Sequence, residues 1–410
     1  MLARWLGLAA LAAAAAAIGG CASGGAATND DAVGGELAVY SSLPLQGPSA
    51  PASEQIVDGE KLALAEAGGR AGRFKVGYVS LDASNPTSGR WNPGVTASNA
   101  KTAAQDTSTI AYLGDYESAA TAVSLPLINA AGIAQVSPAS PYVGLIESLD
   151  AGQDEPERFY PSGQRTFARL QPGDPVQAQV QVSLMRSLGV RSLYVLDDQD
   201  PFAVPLAELV AGDGTAAGIK VVGHDSLSIV TGGVYKGEAE KIAESGAQAV
   251  FYSGAGSEGA AQMFRELHLA DPHLLLLAPS STVVEPFTSQ LGAAGASTFL
   301  TTPLLPASLY PPSGRHVLAD YRRAFGGEGN GYALYGYEAM SLVLDAIRRA
   351  GSHGNDRRAV IARLLGTRER DSVLGRYSIE PDGETTLSRF AVDRVSRGRT
   401  VFYRAIEVPR

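Results

Sequence analysis

The chain has 410 residues, 45% hydrophobic and 18% charged, which is the balance of a soluble globular protein long enough for two ordinary domains. A formal net charge of −9 argues against nucleic-acid binding, which calls for a basic face. Cys21 is the only cysteine, so an internal disulfide is excluded.

At the N-terminus, Arg4 supplies a positive segment, and Leu6 to Ile18 is an apolar run made almost wholly of Leu and Ala. It is too short to span a bilayer comfortably and reads as a signal peptide over residues 1–20, outside the fold. The run Ile18-Gly19-Gly20-Cys21 resembles the lipobox of bacterial lipoproteins. That resemblance implies cleavage before Cys21, diacylation of its thiol and usually acylation of the new amino group, giving two or three chains where one would anchor only weakly. The competing reading, an ordinary signal followed by a chance cysteine, leaves the lone thiol without a task. Residues 21–35, rich in Gly, Ala, Ser, Asn and Asp, read as a flexible tether. No second apolar stretch is long enough to cross a membrane.

From Glu36 the β-rich runs alternate with helical ones. Strands are expected at Leu37–Tyr40, Phe74–Leu81, Ile110–Leu113 and Ile133–Val136, and helices at Glu54–Ala67, Thr96–Asp106 and Ser118–Ala131. Gly68-Gly69 closes the first helix as a C-cap. The rhythm restarts after Arg169. Helices are expected at Val176–Leu188, Pro205–Ala211, Lys236–Glu244 and Gly259–His268, and strands at Ser192–Leu196, Lys220–Gly223, Ala249–Ser253 and Leu274–Ala278. Strands separated by single helices mean right-handed crossovers and parallel sheets, and two such series mean two doubly wound α/β lobes. Ligands bind beyond the carboxyl ends of such strands. The loops 41–53, 114–118, 137–142, 197–204, 254–259 and 279–285 therefore frame the expected cleft.

Four pieces of sequence are similar to the type I periplasmic binding proteins, in particular the leucine/isoleucine/valine-binding branch. They are Ser42-Leu43-Pro44-Leu45-Gln46-Gly47 with Gly59; Ile110 to Gly114 with Ser118 and Leu125 to Ile133; Val136-Ser137-Pro138-Ala139-Ser140; and Tyr332 to Ala339. The resemblance spans roughly residues 36–407. It implies three hinge crossings, near Phe167 to Leu170, Leu300 to Thr302 and Thr385 to Arg389. Residues 36–168 with 301–386 then form the first lobe, and 169–300 with 387–410 the second. It also implies hinge closure over a ligand and service to an ABC permease and ATPase; no cofactor is expected.

By the same resemblance, Ser118 at the start of a helix grips a ligand carboxylate, aided by the helix N-terminus. A plain N-cap serine is the simpler alternative. Ala139 and Ser140 match the second half of that clamp, while Pro141 replaces a threonine and offers neither hydroxyl nor N–H. Ser280 stands where relatives that bind amino acids place the glutamate that holds the ligand ammonium. Ala255 stands where an aromatic cover is expected, Phe202 replaces a tyrosine, and Ala52 aligns near a tryptophan lid. Glu117 replaces a neutral residue, and Tyr332 matches an aromatic of the pocket wall. A buried ammonium without a carboxylate costs several kcal/mol. Either Glu117, Glu285 or Asp198 meets it, or the ligand is not an α-amino acid.

Gly254-Ala255-Gly256-Ser257-Glu258-Gly259 fits the dinucleotide fingerprint, but the acidic residue expected about 20 residues on is missing. His268 and His273 flank the helix-breaking Pro272 and share no helical face, so a metal site is not expected. No serine sits in a Gly-x-Ser-x-Gly elbow. Tyr310-Pro311-Pro312 and residues 326–331 read as surface loops, and the Arg-rich segment 389–404 as half-exposed strands. The expectation is a monomeric, lipid-anchored, extracytoplasmic binding protein for a small polar solute, without catalysis. The alternatives are a ligand-sensing lipoprotein that signals to a membrane receptor, and a cleft hydrolase.

Overall fold

The computed structural model describes residues 31–89, 91–148 and 154–409; Cys21 and the signal segment lie outside the described residues. The first sheet comprises β1 (Leu37–Leu43), β2 (Arg70–Ala71), β3 (Phe74–Asp82), β4 (Thr109–Leu113), β5 (Ala134–Ser137) and β6 (Phe167–Arg169), in the order β2-β3-β1-β4-β5-β6. Only the β2–β3 pair is antiparallel. Helices α1 (Ala50–Glu66), α2 (Pro93–Gln105) and α3 (Ser118–Ala130) lie on the crossovers. β1 and β4 are buried along their whole length, as parallel strands covered on both faces must be.

The second sheet begins after α4 (Asp174–Ser187). β7 (Ser192–Asp197), β8 (Lys220–Ser226), β9 (Ala249–Ser253), β10 (Leu275–Ala278) and β11 (Thr298–Thr302) are parallel, with α5 (Val204–Ala216), α6 (Lys236–Glu244), α7 (Glu258–Ala270) and the short α8 (Glu285–Thr288) between them. The chain then returns to the first lobe. There α9 (Pro312–Phe325), α10 (Gly331–Ala350) and α11 (Arg357–Leu365) share a core with β1 and β4, beside a small hairpin of β12 (Arg370–Asp371) and β13 (Arg376–Tyr377). Finally β14 (Arg389–Ser396) and β15 (Arg399–Glu407) add an antiparallel ribbon to the second sheet, whose order is β15-β14-β11-β10-β9-β7-β8. The result is two doubly wound α/β lobes joined by three passages: after Arg169, after Thr302 and before Arg389.

A buried ion pair ties two of these passages together. The fully buried Arg169 donates through Nε to Glu384 at 2.9 Å and through Nη2 to the same carboxylate. Its Nη1 donates to the carbonyls of Tyr142 at 2.7 Å and Ser140 at 3.3 Å, and its backbone N–H to Gly383 O. One guanidinium thus joins the first passage, the third passage and a cleft loop.

Helix α10 packs against α1 through two glycines. A Cβ on Gly59 would lie 2.1 Å from Ala333 O, and one on Gly336 would lie 2.0 Å from Ile56 O. The two backbones approach closely because neither position carries a side chain. This contact also sets the height of Tyr332 at the start of α10.

The structure differs from the sequence reading in two places. Tyr310 is buried, with its hydroxyl accepting the Leu305 N–H at 3.0 Å, and Pro312 is the first residue of α9, where proline's fixed φ suits a helix start. The segment 310–312 is therefore packed structure, not a surface loop. Residues 31–33, at the end of the stretch read as tether, are docked on the first lobe: Ala32 donates to Asn355 O and Val33 to Thr107 O.

Candidate functional site

All six loops singled out above follow the carboxyl ends of strands, three in each lobe. The lobes meet beside them. Tyr142 of the first lobe and Phe202 of the second stack edge to face, with ring centroids 4.9 Å apart, and Asp174 at the start of α4 donates its N–H to Pro141 O. Phe202 thus serves as an inter-lobe contact through its ring.

The first-lobe residues fall into two groups. In the outer group, Glu117 is the N-cap residue of α3. Its Oε1 accepts a hydrogen bond from Ser49 Oγ at 3.2 Å, while Oε2 is buried with no partner. Burial pushes this carboxyl up to about 7, against the Ser49 hydrogen bond that favours ionisation. Tyr116 and Tyr332 share a hydroxyl–hydroxyl hydrogen bond of 3.1 Å and an edge-to-face contact of 5.6 Å, both within the electrostatic reach of Glu117. Leu43, Ile56 and Val57 form the apolar floor beneath these rings.

In the inner group, the clamp residues are turned toward one another. Ser118 Oγ accepts from Tyr142 N at 3.2 Å, and Ala139 N donates to Ser137 Oγ at 3.2 Å. Ser140 is fully buried, its hydroxyl 2.6 Å from Thr121 Oγ1 and 3.2 Å from Asp115 O. Asp115 organises this layer. Its carboxylate receives Ser124 Oγ and, at 3.3 Å, Tyr112 OH, and its carbonyl also receives Ser137 Oγ. Burial raises the Asp115 carboxyl to about 7; Ser124 opposes the shift and Glu117 adds to it.

In the second lobe Ala255 and Ser280 lie on loops that brace each other. Ala255 is exposed and its N–H is held by Asp198 Oδ2 at 2.8 Å, a carboxylate that Tyr252 OH also approaches. The Ser280 N–H is held by Gln177 Oε1 at 3.1 Å. Ser281 Oγ donates to Gly254 O, and Gly256 N to Ser281 O, so the Gly-rich loop is a tight turn packed on its neighbour. Glu117 and Tyr332 are thus brought together, as are Ser118, Ala139 and Ser140 around Asp115. Ala255 and Ser280 stand on adjoining loops of the opposite lobe. Sequence reasoning missed Ser49, Tyr116, Gln177 and the Arg169–Glu384 pair. Tyr116 sat in plain view between Asp115 and Glu117, whereas the others depend on contacts between distant segments.

Among the described residues, no His, Cys, Asp and Glu side chains gather in the threes a metal site needs, and no helix is long and apolar enough to cross a membrane. Two doubly wound lobes, three passages and strand ends opening on one cleft define the type I periplasmic binding fold. The chain belongs to the family described as "Periplasmic binding protein", whose model matches residues 41–399.

An amino acid binding protein of Pseudomonas aeruginosa is 23% identical over 292 residues, covering 69% of this chain and 71% of that one. A leucine binding protein of Thermotoga maritima superposes with a TM-score of 0.73 at 20% identity, covering 90% of this chain and 99% of the other. A solute binding protein of an ABC transporter from R. palustris, solved with 4-hydroxybenzoate, gives 0.73 at 17% identity, with coverage of 91% and 96%.

Proposed function

We propose that the chain is an extracytoplasmic substrate-binding protein of an ABC transporter. It captures a small polar solute between its lobes by hinge closure and delivers it to a permease and ATPase. In this reading the protein is a monomer anchored through a lipidated Cys21, it performs no chemistry on its ligand, and residues 36–168 with 301–386 close against 169–300 with 387–410.

The observation that carries the proposal is Glu117. A buried carboxylate oxygen without a partner, ringed by Ser49, Tyr116 and Tyr332 on cleft-forming segments, is an incomplete hydrogen-bond set that a ligand can complete. The relatives support the same reading, since those named above bind amino acids or 4-hydroxybenzoate.

A thermal-shift screen of the soluble domain, begun just after Cys21, tests it. At roughly 1,000 times its dissociation constant a ligand adds about 4 kcal/mol of stability. A saturable shift from at least one amino acid, amide, amine or carboxylate is the expected result. A panel with no shift, or turnover of a cleft ligand, would overturn the proposal.

A further inference from the structure

The charge around the cleft is one-sided. The six loops at the strand ends carry Asp115 and Glu117 in the first lobe and Asp197, Asp198, Asp200, Glu258 and Glu285 in the second, and no Lys, Arg or His occurs in any of them. The buried Arg169 offers no counterweight, because Glu384 and two carbonyls occupy its guanidinium. A ligand carboxylate would enter a field of its own sign, and two of the three groups placed to hold one are engaged elsewhere: the Ser140 hydroxyl with Thr121 and Asp115, and the Ala139 N–H with Ser137, while Ser118 Oγ accepts the Tyr142 N–H and keeps its own proton to donate.

Of the acids that could receive a cation, Asp198 is already bonded to Ala255 N and Asp200 N, and Glu285 is exposed. Glu117 alone among these three combines burial with an oxygen that has no partner. The Tyr116 and Tyr332 rings beside it add π faces of the kind that favour an ammonium.

We infer that the cleft recognises its ligand through a cationic amino group seated on Glu117, and that its ligand class is small organic amines rather than free carboxylates. This deepens the binding reading above and rests on it. Burial holds the unliganded Glu117 carboxyl near 7. The groups that face it are the Ser49 hydroxyl, the Tyr116 and Tyr332 phenols and the Asp115 carboxyl. Affinity for an amine therefore rises as the pH passes upward through neutrality and Glu117 ionises.

The test uses matched pairs that share a skeleton: 3-methylbutylamine with 4-methylpentanoate, benzylamine with benzoate, and putrescine with succinate, each beside leucine, on the wild type and Glu117→Gln. The expected result is that at least one amine shifts the wild-type melt more than its acid partner. Glu117→Gln should weaken that amine about 30-fold or more while melting normally without ligand. The rise of amine affinity through neutrality should shrink in the same variant to the part supplied by the Asp115 carboxyl, which burial also holds near 7. Should Glu117→Gln fail to fold, Ser49→Ala removes the hydrogen bond that favours ionised Glu117 and should move the rise in amine affinity to higher pH; an unmoved rise would overturn the inference. Tighter binding of an acid than of its amine, or amine affinity unchanged within about twofold in the variant, would overturn the inference and leave the binding reading standing. Silence from every amine while an acid, an amide or leucine still shifts the melt would overturn the inference alone; silence from the whole panel, amides included, would bring down both.

Discussion

Glu60 offers a stability prediction whose sign and size follow from its surroundings. It is fully buried on α1; one oxygen receives Tyr78 OH at 2.5 Å and the other has no partner. Burial outweighs the Tyr78 hydrogen bond and raises the carboxyl from 4.5 to about 8. A carboxyl whose folded pKa is raised holds its proton when the unfolded chain has lost it. Its contribution is therefore intact below pH 4.5, declines by about 1.4 kcal/mol per pH unit up to about 8, and is flat above.

The total loss across that window is about 5 kcal/mol at most, of the order of a whole domain's stability. Glu60→Gln keeps an acceptor for Tyr78 and places an amide donor where the unpartnered oxygen lies. Urea unfolding at pH 5, 6, 7, 8 and 9 should show the wild type losing stability relative to the variant between pH 5 and 8. Parallel curves over that range would refute the reasoning, because Glu60 would then be ionised or hydrated in the folded state.

Three further outcomes are expected. Glu384→Gln should destabilise the protein by about 3–5 kcal/mol in chemical denaturation, because it leaves the Arg169 guanidinium buried beside a neutral partner. Gly336→Ala should cost about 1–3 kcal/mol by the same assay and weaken ligand binding, since its Cβ would meet Ile56 O and push apart the helices that set Tyr332. Phe202→Ala should leave the second lobe folded but remove the ring that meets Tyr142, raising the dissociation constant of any cleft ligand about threefold to tenfold in calorimetry.

Much of the fold was legible because the core of each sheet is parallel. Buried strands such as Ile110–Leu113 and Ala249–Ser253 must be apolar throughout, and each is punctuated by helix starts and glycine stops, so order and class follow from local pattern. The segment 303–386 was not legible in the same way. Helix α10 is buried over most of its length and shows little polar face, and α9 begins at a Pro-Pro pair that reads equally well as a loop.

The site divides along the same line. The loops could be listed because strand ends could be listed, and Glu117 stood out as an acid at a helix start. Its environment could not be read. Ser49 and Tyr332 reach it from far along the chain, and Arg169 meets Glu384 across 215 positions, contacts no local pattern encodes. Ser118, Ala139 and Ser140 were expected to face a ligand, but their first partners in the structure are one another's loops.

Small-angle scattering of the soluble domain, alone and saturated with the tightest compound from the thermal-shift panel, tests capture between hinged lobes most directly. The expected result is a smaller radius of gyration in the liganded protein, with the change reversed when the ligand is dialysed away. A ligand that binds at one per chain and leaves the scattering curve unaltered would contradict closure of the two lobes over a solute.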